Sequence, residues 1–222
     1  MLYIVPTPIG NLGDITLRAV KILESAETIL CEDPRVTRKL FNLLELQNKP
    51  RFVQLERDHN FNHNEIKVIL SENLVDNKTI ALVSDAGTPG ISDPAFEVLQ
   101  IVIEIGLGYT TLPGATAVIP AIVNSNLVSK EFLFLGFLPI KKGRQTEWKR
   151  ISNSPTPVVI YESCHRIAKF IEESQEFLLP TTKICINQEI SKSHENLWIG
   201  IVSDLKKYPL VAKGEFVIVI RN

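Results

Sequence analysis

The sequence predicts an α/β protein of two lobes, with a mostly parallel sheet in the first lobe and a mixed sheet in the second. In the first half, short β-branched and apolar runs alternate with segments whose apolar residues recur at helical spacing, the pattern of βαβ units. In the second half apolar runs follow one another with fewer helices between them, as in a sheet with antiparallel neighbours. The pattern changes at the glycine turn Pro113-Gly114, so lobes are expected over 1–112 and 113–222. The stretch that organises the rest is Ser84-Asp85-Ala86-Gly87-Thr88-Pro89-Gly90-Ile91-Ser92-Asp93-Pro94. It joins the apolar run Thr79 to Val83 to a helical segment from Ala95 to Gly106. Such junctions lie at the carboxyl edge of a parallel sheet, where open α/β folds build ligand crevices. Gly87 and Gly90 permit positive φ and close approach of a ligand, Pro89 stiffens the turn, and Asp93-Pro94 reads as an N-cap followed by proline in the first turn. The same residues would also make a stiff, capped turn with no ligand.

The elements follow in order. Leu2 to Val5 is a strand, broken by the Pro6 to Asp14 loop; Leu12, Ile15, Ala19, Ile22, Leu23 and Ala26 then recur at helical spacing, with Asp14 placed to cap. Thr28 to Cys31 is a strand ended by Glu32-Asp33-Pro34-Arg35, and Val36 to Leu46 resumes a helical pattern. Arg51 to Leu55 is a third strand, and the polar segment from Glu56 to Glu65 leads into a helix over Ile66 to Leu74. Tyr109 to Leu112 is a strand, followed by a small-residue helix through Val123. Beyond it, Glu131 to Leu138, Thr156 to Tyr161, Lys183 to Ile190, Asn196 to Val202 and Glu215 to Ile220 read as strands, and Arg166 to Phe177 as a helix.

Composition narrows the function. The 222 residues are 45% hydrophobic and 22% charged, the balance of a globular protein. A net charge of -1 excludes a uniformly basic nucleic-acid coat, so contact with RNA or DNA must come from a local patch. Pro139 to Ser154 supplies one, with Lys141, Lys142, Arg144, Lys149 and Arg150 around Trp148; it reads either as a solvated helix face or as a phosphate contact. Cys31, Cys164 and Cys185 are scattered, with no CxxC, which argues against disulfides and zinc and for a reducing compartment. The start of the chain has no basic leader, and no apolar run approaches the roughly 18 residues of a membrane span, so a cytoplasmic protein is expected.

No P-loop, nucleophile elbow or HExxH occurs. Gly10-Asn11-Leu12-Gly13, with Glu32 and Asp33 about 20 residues on, is a degenerate dinucleotide fingerprint without its third glycine. His59 and His63 stand four apart without a third ligand, so no metal is expected. Tyr161-Glu162-Ser163-Cys164-His165-Arg166 lies where a strand yields to a helix; it either faces the crevice or is a helix start capped by Ser163.

Together these segments resemble the ribosomal RNA small subunit methyltransferase I family. The resemblance is carried by Leu2 to Ala19, Cys31-Glu32-Asp33, Ala81 to Pro94, Leu112-Pro113-Gly114, Gly136-Phe137-Leu138-Pro139, Tyr161-Glu162-Ser163 with His165-Arg166, and Lys213-Gly214-Glu215, in order over nearly the whole chain. It implies a two-lobed tetrapyrrole methylase-like fold, S-adenosylmethionine bound in the inter-lobe cleft, a homodimer, and methylation of the ribose 2′-hydroxyl of a cytidine in the decoding region of 16S rRNA within the small ribosomal subunit. Carried over by position, the cofactor contacts fall on Pro8, on Gly87, Thr88, Ile91 and Ser92, and on Thr116 and Ala117. Further along they fall on Tyr161 and Glu162 and on Ala212, Lys213 and Gly214. Asp85 either touches the ligand or shapes the loop.

A sulfonium donor is already a good leaving group, so holding the acceptor oxygen in line provides much of the rate. Glu32, Asp33, Glu162 and Lys192, with His63 and Glu189, are the groups available as a base or as a cation near the developing alkoxide, and Arg35 belongs to the same segment as Glu32 and Asp33. Pro34 and Val36 replace the threonine and histidine common in the family, which excludes a catalytic histidine there. The histidine element fits His63-Asn64-Glu65 or, in a second register, His59-Asn60. A further C-terminal extension of some members is expected to be absent, with RNA contacts falling instead to the Lys141 to Arg150 patch. Two rivals stay open: the same fold and cofactor with a tetrapyrrole or protein acceptor, and a non-catalytic RNA-binding assembly factor.

Overall fold

Each apolar run of the first half becomes a strand with a helix after it. In the computed structural model, which describes residues 1–56, 61–75 and 78–222, the first half runs β1 (Leu2–Ile4), α1 (Leu17–Ser25), β2 (Thr28–Cys31), α2 (Pro34–Leu43), β3 (Arg51–Gln54), α3 (His63–Val75), β4 (Ile80–Val83), α4 (Ala95–Glu104) and β5 (Tyr109–Thr111). The strands form one parallel sheet in the order β3-β2-β4-β1-β5. Every residue of β2 and β4 is buried, because apolar side chains leave both faces of these inner strands. Leu30, Ile80 and Leu82 pack on one face with Leu70, Val98 and Val102; Ile29, Cys31, Ala81 and Val83 pack on the other with Ala19 and Leu23.

The second half runs α5 (Val118–Ser125), β6 (Leu133–Phe137), α6 (Arg144–Ser152), β7 (Val158–Ser163), α7 (Ile167–Phe177), β8 (Lys183–Gln188), β9 (Asn196–Ile201) and β10 (Glu215–Arg221). Its sheet, β6-β7-β10-β8-β9, is mixed as expected: β6 and β7 are parallel and the other pairs antiparallel. Trp148 is fully buried and stacks on Phe170 and Phe177 at 5.1 and 5.8 Å.

The chain divides into two compact units, Met1–Thr116 and Ala117–Asn222. The division falls slightly after 112/113 because the loop following β5 is tied into the first unit. Thr88 Oγ1 donates to the Ala115 carbonyl at 2.9 Å. Gly114 lies so close to Pro6 that a Cβ there would stand 2.5 Å from the proline Cβ.

Several helix starts differ from expectation, α3 beginning at His63 rather than Ile66 among them. Extended backbone at Ile15 and Thr16 separates a 3-10 turn at Leu12–Asp14 from α1, so Thr16, whose Oγ1 accepts from Ala19 N–H, is the cap in place of Asp14. α2 starts at Pro34, before Val36, because Asp33 Oδ1 accepts from Arg35 N–H at 2.8 Å and proline suits the first turn. α7 begins at Ile167 without a side-chain cap, so Ser163 does not cap it. Among the described residues no helix is long and apolar enough to cross a membrane, and no three His, Cys, Asp or Glu side chains are grouped to hold a metal. His59 lies outside the described residues.

Candidate active site

Because β4 lies between β2 and β1, the loops that follow these three strands meet at one carboxyl edge of the first unit. Thr7 and Gly87 exchange backbone hydrogen bonds of 2.9 and 3.0 Å, and Thr7 Oγ1 donates to the Ser84 carbonyl at 3.1 Å. Gly87 holds φ +83°, and a Cβ on it would lie 3.4 Å from Ile9 and 3.7 Å from the Ala115 carbonyl. With the Thr88–Ala115 bond, this edge brings together the loops that carry Pro8, Gly87, Thr88 and Thr116. Asp93 closes the loop: its two carboxylate oxygens accept from Gly90 N–H at 3.0 Å, and Oδ1 also takes Ala95 N–H at 2.9 Å at the start of α4. Ile91 and Ser92 are exposed in the same loop, Ser92 with φ +67°.

Asp85 has a visible structural role at this edge. Its Oδ1 accepts from Asp33 N–H at 3.1 Å, which joins the loop after β4 to the end of β2. The Asp33 carboxylate accepts from Arg35 at three nitrogens, the backbone N at 2.8 Å, Nε at 3.0 Å and Nη2 at 2.7 Å. These bonds hold its pKa down to about 2 and push that of Arg35 up. Asp33 is therefore an anion that does not readily accept a proton, and Arg35 is a fixed cation whose side chain is 89% exposed. Glu32 is half-buried just beyond β2. Burial pushes the Cys31 thiol up to about 11, which leaves it unreactive.

In the second unit the chemistry-bearing residues gather at the ends of β7, β8 and β10. Tyr161 is half-buried, with its ring 5.0 Å from Phe134 and 5.5 Å from Phe137. Glu162 is buried; Oε1 accepts from Ser163 N–H at 2.9 Å and pairs with Arg166 Nε at 2.7 Å, while Oε2 stands 3.7 Å from Arg144 Nη2. Its carboxylate is thus engaged by groups of the fold itself.

Lys192 Nζ donates to Glu189 Oε1 at 2.7 Å and Glu215 Oε2 at 2.9 Å. Its partial burial favours the neutral amine, but the two carboxylates outweigh that and hold its pKa above the usual lysine range. It is thus a cation and not a base. A Cβ on Gly214, at φ +76°, would fall inside the Glu189 carboxylate, which requires glycine there. Ala212 and Lys213 are exposed, and Gln188 Nε2 fixes their segment by donating to the Val211 and Lys213 carbonyls at 2.9 and 2.8 Å. Gln188 and Glu173 have no place among the candidates drawn from the sequence, and Arg166 enters there only within Tyr161 to Arg166.

The basic segment divides. Lys141, Lys142 and Lys149 are exposed, and Arg150 is exposed beside Glu147 at 3.5 Å. Arg144 is 4% exposed and is corrected from an RNA contact to a core residue. It donates through Nε to Glu173 at 2.7 Å and through Nη1 to the Pro139 carbonyl at 3.1 Å. Burial opposes ionisation of Glu173, yet hydrogen bonds from Arg144 and Trp148 outweigh it and hold the carboxyl below the usual range.

A family model described as Tetrapyrrole (Corrin/Porphyrin) Methylases matches residues 1–206. Cobalt precorrin-4 methyltransferase, a cobalamin biosynthetic enzyme, aligns at TM-score 0.69 and 15% identity over 98% of this chain and 93% of that one. A uroporphyrin-III C-methyl transferase from Thermus thermophilus, complexed with S-adenyl homocysteine, aligns at TM-score 0.64 and 14% identity over 100% and 97%. The class is thus the tetrapyrrole methylase fold, the two-sheet architecture expected above.

Closer relatives define the group within it. Ribosomal RNA small subunit methyltransferase I of Synechocystis sp. is 38% identical over 99% of this chain and 78% of its own length. That of Hydrogenobaculum sp. is 39% identical over 99% and 94%, and that of Helicobacter pylori 36% over 100% and 83%. The chain belongs to the ribosomal RNA small subunit methyltransferase I family.

Proposed function

We propose that the protein transfers the methyl group of S-adenosylmethionine to the ribose 2′-hydroxyl of a cytidine in the decoding region of 16S rRNA, in the cytoplasm, as a homodimer acting on the small ribosomal subunit. The observation that carries this reading is identity of 35–39% to rRNA small subunit methyltransferases I over nearly the whole chain. The solved relative with S-adenyl homocysteine supports the donor.

In the reaction, a ribose oxygen–methyl bond forms as the sulfur–methyl bond breaks, S-adenosylhomocysteine leaves, and the hydroxyl proton passes to a base or to water. This chain's residues bind and orient. The loops around Pro8, Gly87, Thr88 and Thr116 offer close backbone approach, and Tyr161, Ala117 and Ala212 to Gly214 are the proposed contacts from the second unit. Asp33 and Lys192 are ionised and held by partners, which makes them electrostatic groups rather than proton acceptors. Arg35 is an exposed cation suited to a phosphate or a developing alkoxide, and Glu32 is one candidate base.

The test is transfer of labelled methyl to subunits lacking the modification, followed by mapping of the nucleotide. Label on a 2′-oxygen is expected. Label on a base atom overturns the ribose assignment, and absence of label with proven cofactor binding overturns the enzyme reading and leaves the assembly-factor alternative.

A further inference from the structure

Arg144 and Arg166 converge on one buried carboxylate and grip one loop. Arg166 Nε pairs with Glu162 Oε1 at 2.7 Å, and Arg144 Nη2 approaches Oε2 at 3.7 Å. Each arginine donates its Nη1 to a backbone carbonyl at the start of the loop between β6 and α6, Arg166 to Leu138 at 2.9 Å and Arg144 to Pro139 at 3.1 Å. A third carbonyl of the same loop, that of Lys141, accepts from Arg144 N–H at 3.3 Å, and Gly143 makes the turn into α6 at φ +87°. Glu173 locks Arg144 from α7 and also accepts from Trp148 Nε1 at 3.0 Å.

The geometry is not that of an ion pair closed for its own stability. Glu162 Oε2 is sealed from solvent and has no hydrogen bond among the described residues, with a guanidinium 3.7 Å away. Buried pairs of this kind gain little over apolar replacements, and fixing a register is their best-attested use. Arg144 Nη2, the arm nearest Oε2, is instead taken by Glu173 Oε2 at 2.6 Å, and the Nη1 arms of both arginines are directed at the loop carbonyls. The residues held at the tip are Lys141 and Lys142, both exposed.

We propose that Arg144 and Arg166, anchored on Glu162, are positioning residues that fix the backbone of residues 138–143 and thereby set Lys141 and Lys142 against RNA phosphates. The proposal rests on the rRNA reading of the preceding section. A planar guanidinium can reach Glu173 and Pro139 together, whereas a lysine ammonium presents a single point of contact.

The test compares full-length wild type, Arg144→Lys, Lys141→Ala with Lys142→Ala, and the triple variant. Binding to small subunits lacking the modification is measured over a salt series, with cofactor affinity and melting measured in parallel. Arg144→Lys keeps the charge, so a purely electrostatic role leaves binding intact. The positioning role predicts about a tenfold loss of subunit affinity and a plot of log affinity against log salt flatter by about one to two units. It also predicts that the same substitution changes affinity by less than about twofold once both lysines are gone.

Equal losses in both backgrounds overturn the proposal, as does unchanged affinity and slope in a folded Arg144→Lys protein. Should Arg144→Lys not fold, Arg166→Lys asks the same question from the Leu138 side, where the arginine is partly exposed. Wild-type protein that fails to bind subunits at low salt overturns the substrate reading itself, a result distinct from intact binding that ignores Arg144.

Discussion

The loop after β4 and the end of β7 carry the two densest groups of candidate site residues, and they are built from opposite materials. Ser84 to Pro94 is shaped largely by backbone hydrogen bonds, hydroxyls and two positive-φ glycines, with carboxylates that spend themselves on N–H groups. Tyr161 to Arg166 is shaped by a buried network of two arginines and two glutamates. The first kind of edge is made largely of uncharged groups. The second has committed its charges to the fold. A charged side chain near a site is therefore weak evidence of chemistry until its partners are known.

The largest break in this comparison is Glu162→Leu. It leaves Arg144 buried with one carboxylate fewer and Arg166 without its anchor, and removal of one partner from a buried pair costs about 3–5 kcal/mol. Urea denaturation should show that loss. A loss well under about 1 kcal/mol would mean the network contributes no more than an exposed pair. Gly214→Ala comes next, because it forces a side chain into the Glu189 carboxylate at a left-handed φ, at a cost of about 1–3 kcal/mol. Weaker cofactor binding should accompany it if Ala212 to Gly214 touch the ligand, and calorimetry separates the two effects.

How far the residues alone revealed these regions depends on the distance over which each signal acts. Strand, helix and sheet type were legible because each rests on local periodicity, and the Asp93 turn because its bonds span two or three residues; the Asp33 cap is as local but went unread. Arg144 was misread because a basic cluster was weighed by charge rather than by spacing. Arg144, Trp148 and Ile151 stand at i, i+4 and i+7, a buried helical stripe that was available to be read. Glu173 gave no such signal, since its bond to Arg144 spans 29 residues and exists only after β7 and α7 have packed.

Gly87→Val tests the uncharged edge. A branched side chain at φ +83° costs about 1–2 kcal/mol of backbone strain and meets Ile9, so some loss of stability is expected whatever binds there. The discriminating quantity is affinity for S-adenosylmethionine. If the loop is a cofactor wall, affinity should fall about tenfold, equivalent to 1.4 kcal/mol, beyond any unfolding. Unchanged affinity by calorimetry would reduce Ser84 to Pro94 to the stiff turn its composition also allows.

The smallest expected effect is at Asp33, where the charge is held by a partner yet faces water. Its pKa in the fold is about 2, below that of an unfolded aspartate near 3.9, so its charge contributes stability above the unfolded value and loses it as pH falls toward 2. Asn keeps an oxygen to accept Arg35 N–H at the start of α2 but loses the ion pair with the guanidinium. The difference in melting temperature between wild type and Asp33→Asn should therefore be small near neutrality, narrow from about pH 4 downward, and be lost as pH falls through about 2. No difference even at neutral pH would show that the side-chain oxygen, which asparagine keeps, and not the charge does the holding, and would bring this edge closer to the neutral chemistry of the loop after β4.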